Sequence, residues 1–175
     1  MALDIALYLR QARDAYRVVA YDWENPIGPK DVLLNDYLNL DITLGTLMRR
    51  VDAVNGDVPH DAVVTSEATI VDLYATALSQ FLLISLKQQW THLMVLEDAD
   101  IEKFARFPQM RLAHQFMGIK TMLLNSYHQK RQSDFAHAWR SFMKLGLFEL
   151  HLTEEELAIA ISHVLDASDL DSPAF

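Results

Sequence analysis

The sequence predicts an all-α helical bundle in a single domain over residues 1–175. Apolar residues recur every three to four positions along most of the chain, as in helices that bury one face. Only five Gly and five Pro are present, too few for the many tight turns of an all-β fold. Between Leu73 and Leu86 there is no charged residue, Gly or Pro, and a helix apolar on nearly all sides belongs at the centre of a bundle. We predict about five longer helices plus a short one.

The first two helices are separated by a clear break. Apolar positions at helical spacing predict the first helix over about residues 2–21, and the segment WENPIGPK, with two Pro and one Gly, ends it. The second helix is predicted from about Asp31 to Val54. Its apolar residues keep an alternating spacing of three and four: Leu33, Tyr37, Leu40, Leu44, Leu47 and Val51.

The third helix, predicted over residues 66–90, should be the central one. Ser66 and Glu67 suit a helix N-terminus. Asp72 lies near its start, and Thr76 and Ser79 follow at helical spacing, so the three form a narrow polar line on an apolar helix. This line is the strongest functional indication in the chain.

Four further helices complete the predicted bundle, and their ends carry the clearest local signals. Glu97, Asp98, Asp100 and Glu102 are interpreted as N-terminal capping of a short helix. Gly146 is predicted as a C-cap, and Thr153 with Glu156 three residues later forms a capping box. The four helices are predicted near residues 98–106, 110–130, 134–145 and 153–166, followed by a frayed tail.

Composition excludes several classes of function. The chain has no Cys, which excludes disulfides, thiolate catalysis and Cys-based zinc sites. Its net charge of −9 disfavours a general binder of nucleic acids or anionic membranes. The N-terminus does not read as a signal peptide, and the uncharged part of the central helix is shorter than the ~20 residues of a membrane span. We expect a soluble cytoplasmic protein.

Most catalytic motifs are absent from the sequence. There is no Gly-rich phosphate loop, no GxSxG and no HExxH. The seven His form no pair at helical spacing within one predicted helix, so a His-based metal site would have to assemble in three dimensions.

The remaining candidates are oxygen ligands on two neighbouring helices. Asp41 lies on the second helix and Asp72 on the third, while Asp36 and Asn39 form a polar pair three residues apart. Carboxylates on facing helices can share Mg²⁺, which prefers oxygen ligands and leaves positions for phosphate oxygens and water. The alternative for Asp72 is a buried acid that hydrogen-bonds Thr76 or a neighbouring helix. We predict Asp72, Asp41, Asp36 and Asn39 as metal ligands.

The order of these segments resembles the all-α nucleotide pyrophosphohydrolases, which include the MazG proteins and the dimeric dUTPases. TIVDLYATALSQFLLISL is similar to that family's second acidic segment, FMKLGLFELHLTEEELAIAISHVL to the dUTPase C-terminal pattern, and LYLRQARDAYRVV to the family's opening helix. The family's ExxE falls either on Leu38 and Asp41 or on Asp36 and Asn39. In the second segment Thr69 stands at the Glu position, and Asp72 matches the Asp.

The resemblance implies Mg²⁺-dependent hydrolysis of a nucleoside triphosphate to a monophosphate and pyrophosphate, with Asp72 and Asp41 holding metal and Asp36 or Asn39 assisting. The shortened acidic motifs leave a second hypothesis open, a non-catalytic helical relative that acts as a binding or assembly module. A third is a helical regulator that binds a small apolar ligand. We also expect a homodimer, because the central helix is apolar on more faces than a small bundle covers.

Overall fold

The chain folds as an all-helical bundle. The computed structural model describes residues 3–21, 23–56 and 68–166, and within these ranges there are seven α-helices and no strand. The predicted fold class is confirmed; the seven helices correspond to the seven predicted segments, one more than the predicted total of about six. The helices are α1 (Ile5–Tyr21), α2 (Val32–Arg50), α3 (Ile70–Lys87), α4 (Asp98–Arg106), α5 (Leu112–Gln129), α6 (Gln132–Lys144) and α7 (Glu154–Val164).

Helix α3 is the central helix, as predicted. It packs against α1, α2 and α7, and ten of its 18 residues are buried. None of its residues is fully exposed, so its apolar surface is covered within the bundle. The predicted N-terminal residues Ser66 and Glu67 lie outside the described residues; the observed N-cap is Thr69.

An aromatic cluster joins α3 to α6. The rings of Tyr74 and Phe142 are stacked with their centroids 4.2 Å apart, and the ring of Phe81 lies 5.6 Å from that of Trp139. Trp139 is fully buried and donates its indole N–H to the backbone oxygen of Met94 at 3.1 Å. Large aromatic side chains bury much apolar area, and the indole N–H finds a partner, so this cluster contributes strongly to the core.

Gly146 has a different role from the predicted C-cap. It lies in a π-helical turn, Leu145–Glu149, that continues α6, and among the described residues no Gly has a positive φ. The Tyr74 ring lies directly against it, so that an added Cβ would overlap Cζ and the hydroxyl oxygen of Tyr74. The Tyr74 hydroxyl donates to the backbone oxygen of Phe142 at 2.7 Å. Close approach of a neighbouring side chain, rather than a left-handed backbone, therefore requires glycine here.

The predicted capping of α4 and α7 is confirmed. At α7 the backbone N–H of Glu156 donates to Thr153 Oγ1 at 3.2 Å, and the backbone N–H of Thr153 donates to Glu156 Oε2 at 2.9 Å. At α4 the backbone N–H of Glu97 donates to Asp100 Oδ2 at 3.1 Å. These contacts satisfy N–H groups that have no partner within the helix. The predicted frayed tail after residue 166 lies outside the described residues.

Exposed apolar side chains gather on the outer face of α2 and α5. The two helices run antiparallel, since Tyr37 contacts Ser126 and Asp41 contacts Lys120. On either side of the Asp41–Lys120 pair lie four exposed apolar residues, Leu38, Ile42, Met117 and Leu124. Part of the apolar surface left uncovered is therefore on α2 and α5, whereas the central helix, where the homodimer expectation had placed it, has no exposed residue. The homodimer itself stays a prediction.

One helix among the described residues, α3, is long and apolar enough by length and composition to cross a membrane. Within this bundle 56% of that stretch is buried, as in the core helix of a soluble protein. The structure is thus compatible with a soluble protein, while the cytoplasmic location stays a prediction.

Candidate functional site

Asp72 caps the N-terminus of α3. Its carboxylate accepts the Thr69 hydroxyl at 2.7 Å and the Thr69 backbone N–H at 3.4 Å. The Thr69 hydroxyl oxygen in turn accepts the backbone N–H of Asp72 at 3.1 Å. The other two residues of the predicted polar line also bond to the backbone. The Thr76 hydroxyl donates to the backbone oxygen of Asp72, and the Ser79 hydroxyl donates to that of Ala75, each at 2.8 Å. Asp72 therefore has a complete local role as a capping residue.

Asp41 forms an ion pair with α5. Its Oδ1 lies 2.9 Å from Lys120 Nζ, and 45% of the side chain is exposed. The Asp41 carboxylate is directed toward α5, away from α3.

Asp36, on α2, is buried and forms an ion pair with Lys87. Lys87 lies at the opposite end of α3 from Asp72. The Asp36 side chain is 5% exposed, and its Oδ2 lies 2.5 Å from Lys87 Nζ. The same Nζ lies 3.6 Å from the centroid of the Tyr16 ring. Burial raises the pKa of the Asp36 carboxyl, and the hydrogen bond and charge of Lys87 lower it by less. One ammonium group thus joins α1, α2 and α3.

The four predicted metal ligands do not come together. Asp36 contacts Lys87, the last residue of α3, whereas Asp72 is the third residue of that helix. At ~1.5 Å per residue the two carboxylates lie at levels ~22 Å apart along α3. Two ligands of one Mg²⁺ each lie ~2.1 Å from the ion and so no more than ~4 Å from each other. Asp72 and Asp41 are each turned to a structural partner of their own, Thr69 for Asp72 and Lys120 of α5 for Asp41.

Two of the predicted residues do share a pocket. Asp36 and the exposed Asn39, one helical turn apart, line a cavity of about 380 Å³ between α1, α2 and α3. We call this the α1–α3 pocket. Its walls are formed by Tyr16, Val19, Trp23, Glu24, Asn25, Ile27, Asn35, Asp36, Asn39, Gln80 and Leu83. Its volume falls within the ~300–1,000 Å³ of small-molecule sites.

Carboxamide side chains dominate the polar lining of the α1–α3 pocket. Four of them line it, and none makes a side-chain hydrogen bond to another described residue: Asn25, Asn35, Asn39 and Gln80. Gln80 Oε1 is shielded from solvent and has no hydrogen-bond partner, which costs about 1–3 kcal/mol for such a group. A primary amide offers two donors and one acceptor. The pocket therefore presents unused donors and acceptors side by side.

An aromatic pair closes one side of the pocket. The rings of Tyr16 and Trp23 meet edge to face with their centroids 6.1 Å apart. Both side chains are partly exposed. An aromatic face beside amide groups suits a planar ligand that carries its own donors and acceptors.

The donor set of the pocket does not fit Mg²⁺ well. Among the described residues the lining contains two carboxylates, those of Glu24 and Asp36, and the Asp36 carboxylate is already neutralised by Lys87. A divalent ion at Asp36 would have to displace or repel that ammonium group. Among the described residues, no group of three or more His, Asp or Glu could hold a metal ion.

Sequence reasoning missed most of this pocket. Trp23, Glu24 and Asn25 belong to the segment interpreted only as a helix break, and Asn35 and Gln80 lie next to or within apolar stripes. Asn35 and Asn39 lie about one turn apart on the predicted second helix, and this pair was a usable signal for a polar site. Sequence spacing did not show that residues of α1 and α3 line the same pocket.

A scan against models of protein families, a search of curated proteins and a search of solved structures found no match to this chain. The resemblance to the nucleotide pyrophosphohydrolases stays a prediction.

Proposed function

We propose that this chain is a non-catalytic binding protein whose α1–α3 pocket takes a nucleoside or nucleobase. The observation that carries this proposal is the set of four carboxamides around one pocket, none with a side-chain hydrogen bond to another described residue. Amide side chains can pair with the edge of a base, which offers a donor next to an acceptor. Trp23 and Tyr16 supply an aromatic surface for the plane of the ring.

The charges around the pocket favour the base over the phosphates. Glu24 and Asp36 are the acids among the described lining residues, and Lys87 is already paired with Asp36 at 2.5 Å. A triphosphate without a metal ion would meet these carboxylates and no unpaired cation among the described lining residues, which disfavours binding by simple Coulomb repulsion. A neutral nucleoside avoids that cost.

The second candidate is the Mg²⁺-dependent hydrolysis implied by the family resemblance. The observation in its favour is that Asp36 and Asn39, two of the four predicted ligands, line the same pocket as Glu24. This candidate requires Mg²⁺ to replace Lys87 as the partner of Asp36. It predicts nucleotide binding only in the presence of Mg²⁺, together with release of pyrophosphate.

The experiment is isothermal titration calorimetry of the full chain with uridine, thymidine, adenosine and cytidine, and with dUTP in the presence and absence of Mg²⁺. We expect saturable binding of at least one nucleoside without Mg²⁺. Asn39→Ala should weaken it by about fivefold or more, because a lost hydrogen bond is worth about 1 kcal/mol. Asn39 is exposed, so the variant should keep its fold.

Gln129→Ala is the matched control. Gln129 is an exposed amide at the end of α5, outside the lining of the pocket, and its removal should leave the affinity unchanged. Absence of binding by every nucleoside at millimolar concentration would overturn the binding proposal. Binding of dUTP only with Mg²⁺, with pyrophosphate released, would select the hydrolase instead.

A further inference from the structure

A second pocket lies at the other side of the bundle, between α4, the loop after it and α6. Its volume is about 440 Å³, and it shares no lining residue with the α1–α3 pocket. We call it the α4–α6 pocket. It is lined by Lys103, Phe104, Phe107, Pro108, Met110, His137, Arg140, Ser141 and Lys144.

The floor of this pocket is apolar. Phe104 is buried, whereas Phe107 and Met110 on the loop after α4 are 60% and 52% exposed. Exposed large apolar side chains next to a concave surface are typical of ligand-binding grooves. Lys144 Nζ donates to the backbone oxygen of Pro108 at 3.2 Å, so the loop that carries these residues is tied to α6.

The ionisable groups among the described lining residues are basic. His137, Arg140 and Lys144 follow one face of α6, and Lys103 lies opposite on α4. The described part of the lining contains no Asp or Glu, although the chain as a whole carries a net charge of −9. The described lining of this pocket is thus positively charged, whereas the chain as a whole is negatively charged.

Two of the three permanent cations are compensated by carboxylates outside the pocket. Arg140 Nη1 lies 2.8 Å from Asp100 Oδ1, and Lys144 Nζ lies 3.5 Å from Glu149 Oε1. Lys103 is exposed and forms no direct ion pair with another described residue, although its charge also acts on the Asp100 carboxylate that pairs with Arg140. Over these three cations and two carboxylates, the sum is therefore about one positive charge at the rim of an apolar pocket.

We infer that the α4–α6 pocket binds an amphipathic organic monoanion, a carboxylate with an aliphatic body. The aliphatic part would cover Phe104, Phe107 and Met110 and remove apolar surface from water. The carboxylate would lie at Lys103, with the remaining guanidinium N–H groups of Arg140 as further donors. This inference does not depend on the proposed nucleoside site.

The test uses three ligands with the same aliphatic chain: octanoate, 1-octanol and octylammonium. Titration calorimetry with the full chain at low salt should give saturable binding of octanoate at a single site. 1-Octanol should bind more weakly, octylammonium should bind weakest, and added salt should weaken octanoate binding because it screens the exposed Lys103.

Variants locate the site. Lys103→Met keeps most of the aliphatic stem and removes the charge, and it should weaken octanoate binding by about fivefold, which corresponds to about 1 kcal/mol for an exposed pair. Phe107→Ala removes an exposed ring and should also weaken binding, with little effect on stability. Lys30→Met, at an exposed Lys in the loop between α1 and α2, is the matched control and should bind as the unmodified chain does.

Four results would overturn the inference. The first is the absence of octanoate binding at millimolar concentration. The second is octanoate binding that Lys103→Met and Phe107→Ala leave unchanged, since the ligand would then bind elsewhere. The third is equal affinity for 1-octanol and octanoate, which would remove the role of the charge. Binding to anionic vesicles without saturable binding of free octanoate would likewise refute a small-molecule site and indicate a membrane surface instead.

Discussion

The contact between Gly146 and Tyr74 provides the most direct test of how the core is packed. In Gly146→Ala the new Cβ would overlap Cζ and the hydroxyl oxygen of Tyr74 and lie 2.6 Å from Cε2. Non-bonded carbon atoms prefer separations of about 3.5–4.0 Å, so the Tyr74 ring or the π-helical turn must move by about 1 Å. Tyr74 is fully buried and stacked on Phe142, so little free space is available for that movement.

The expected cost follows from three contributions. Overpacking of a well-packed core costs about 1–3 kcal/mol. Movement of the ring also weakens the hydrogen bond from the Tyr74 hydroxyl to the backbone oxygen of Phe142, worth about 0.5–1.5 kcal/mol. Replacement of a helical Gly by Ala returns about 0.5–1 kcal/mol. The net loss of unfolding free energy is about 2 kcal/mol, within a range of about 0.5–4.

Urea unfolding followed by circular dichroism measures this loss. With a slope of about 2 kcal/mol per molar, the midpoint should fall by about 1 M. Gly118→Ala is the matched control: Gly118 lies in α5 with no atom within 4 Å of an added Cβ, and the variant should gain about 0.5–1 kcal/mol. A Gly146→Ala protein as stable as the unmodified chain would refute the packing argument.

A double-mutant cycle with Tyr74→Phe adds a second test of the same contact. Alone, Tyr74→Phe removes the hydrogen bond to Phe142 and should cost about 1 kcal/mol. In the Gly146→Ala background the same change also removes the overlapping hydroxyl and should therefore cost less. Additive free energies would mean that the two residues do not interact as described.

Three further predictions concern the candidate site and the surface. Because burial raises the pKa of Asp36, the folded state keeps this proton to higher pH than the unfolded chain does. The contribution of Asp36 to the unfolding free energy should therefore decrease as the pH rises from the ordinary carboxyl range through the raised pKa, and Asp36→Asn should flatten that slope in urea midpoints measured upward from the ordinary carboxyl range. Asp72→Ala should cost about 1 kcal/mol by loss of the cap, equally with and without Mg²⁺; stabilisation by Mg²⁺ that disappears in this variant would instead support the predicted metal role. If the predicted homodimer forms through α2 and α5, light scattering of the Leu38→Glu, Ile42→Glu double variant should give half the mass of the unmodified chain, and a monomeric unmodified chain would contradict the dimer.

Short-range patterns were enough to predict the helices and the N-terminal caps of α4 and α7. The pair Thr153 and Glu156 is separated by three residues, and the contacts that cap α7 are made within that one turn. The apolar run of α3 likewise predicts its central place, because a helix without a polar face has to be covered on several sides. The sequence alone therefore determined the all-α class, the approximate helix ends and the identity of the central helix.

The tertiary structure decided what the polar residues do. Asp36 and Lys87 are 51 residues apart, and Asp41 and Lys120 are 79 apart, so no helical spacing reveals that these acids are neutralised by lysines from other helices. The spacing on the apolar helix predicts a metal ligand at Asp72, whereas the structure gives this carboxylate the Thr69 hydroxyl as a partner. The sequence predicts a helix end at Gly146, because its partner Tyr74 belongs to another helix and cannot be identified from local spacing. Charge pairing and close packing depend on which helix faces meet in three dimensions, and these contacts also form the two pockets.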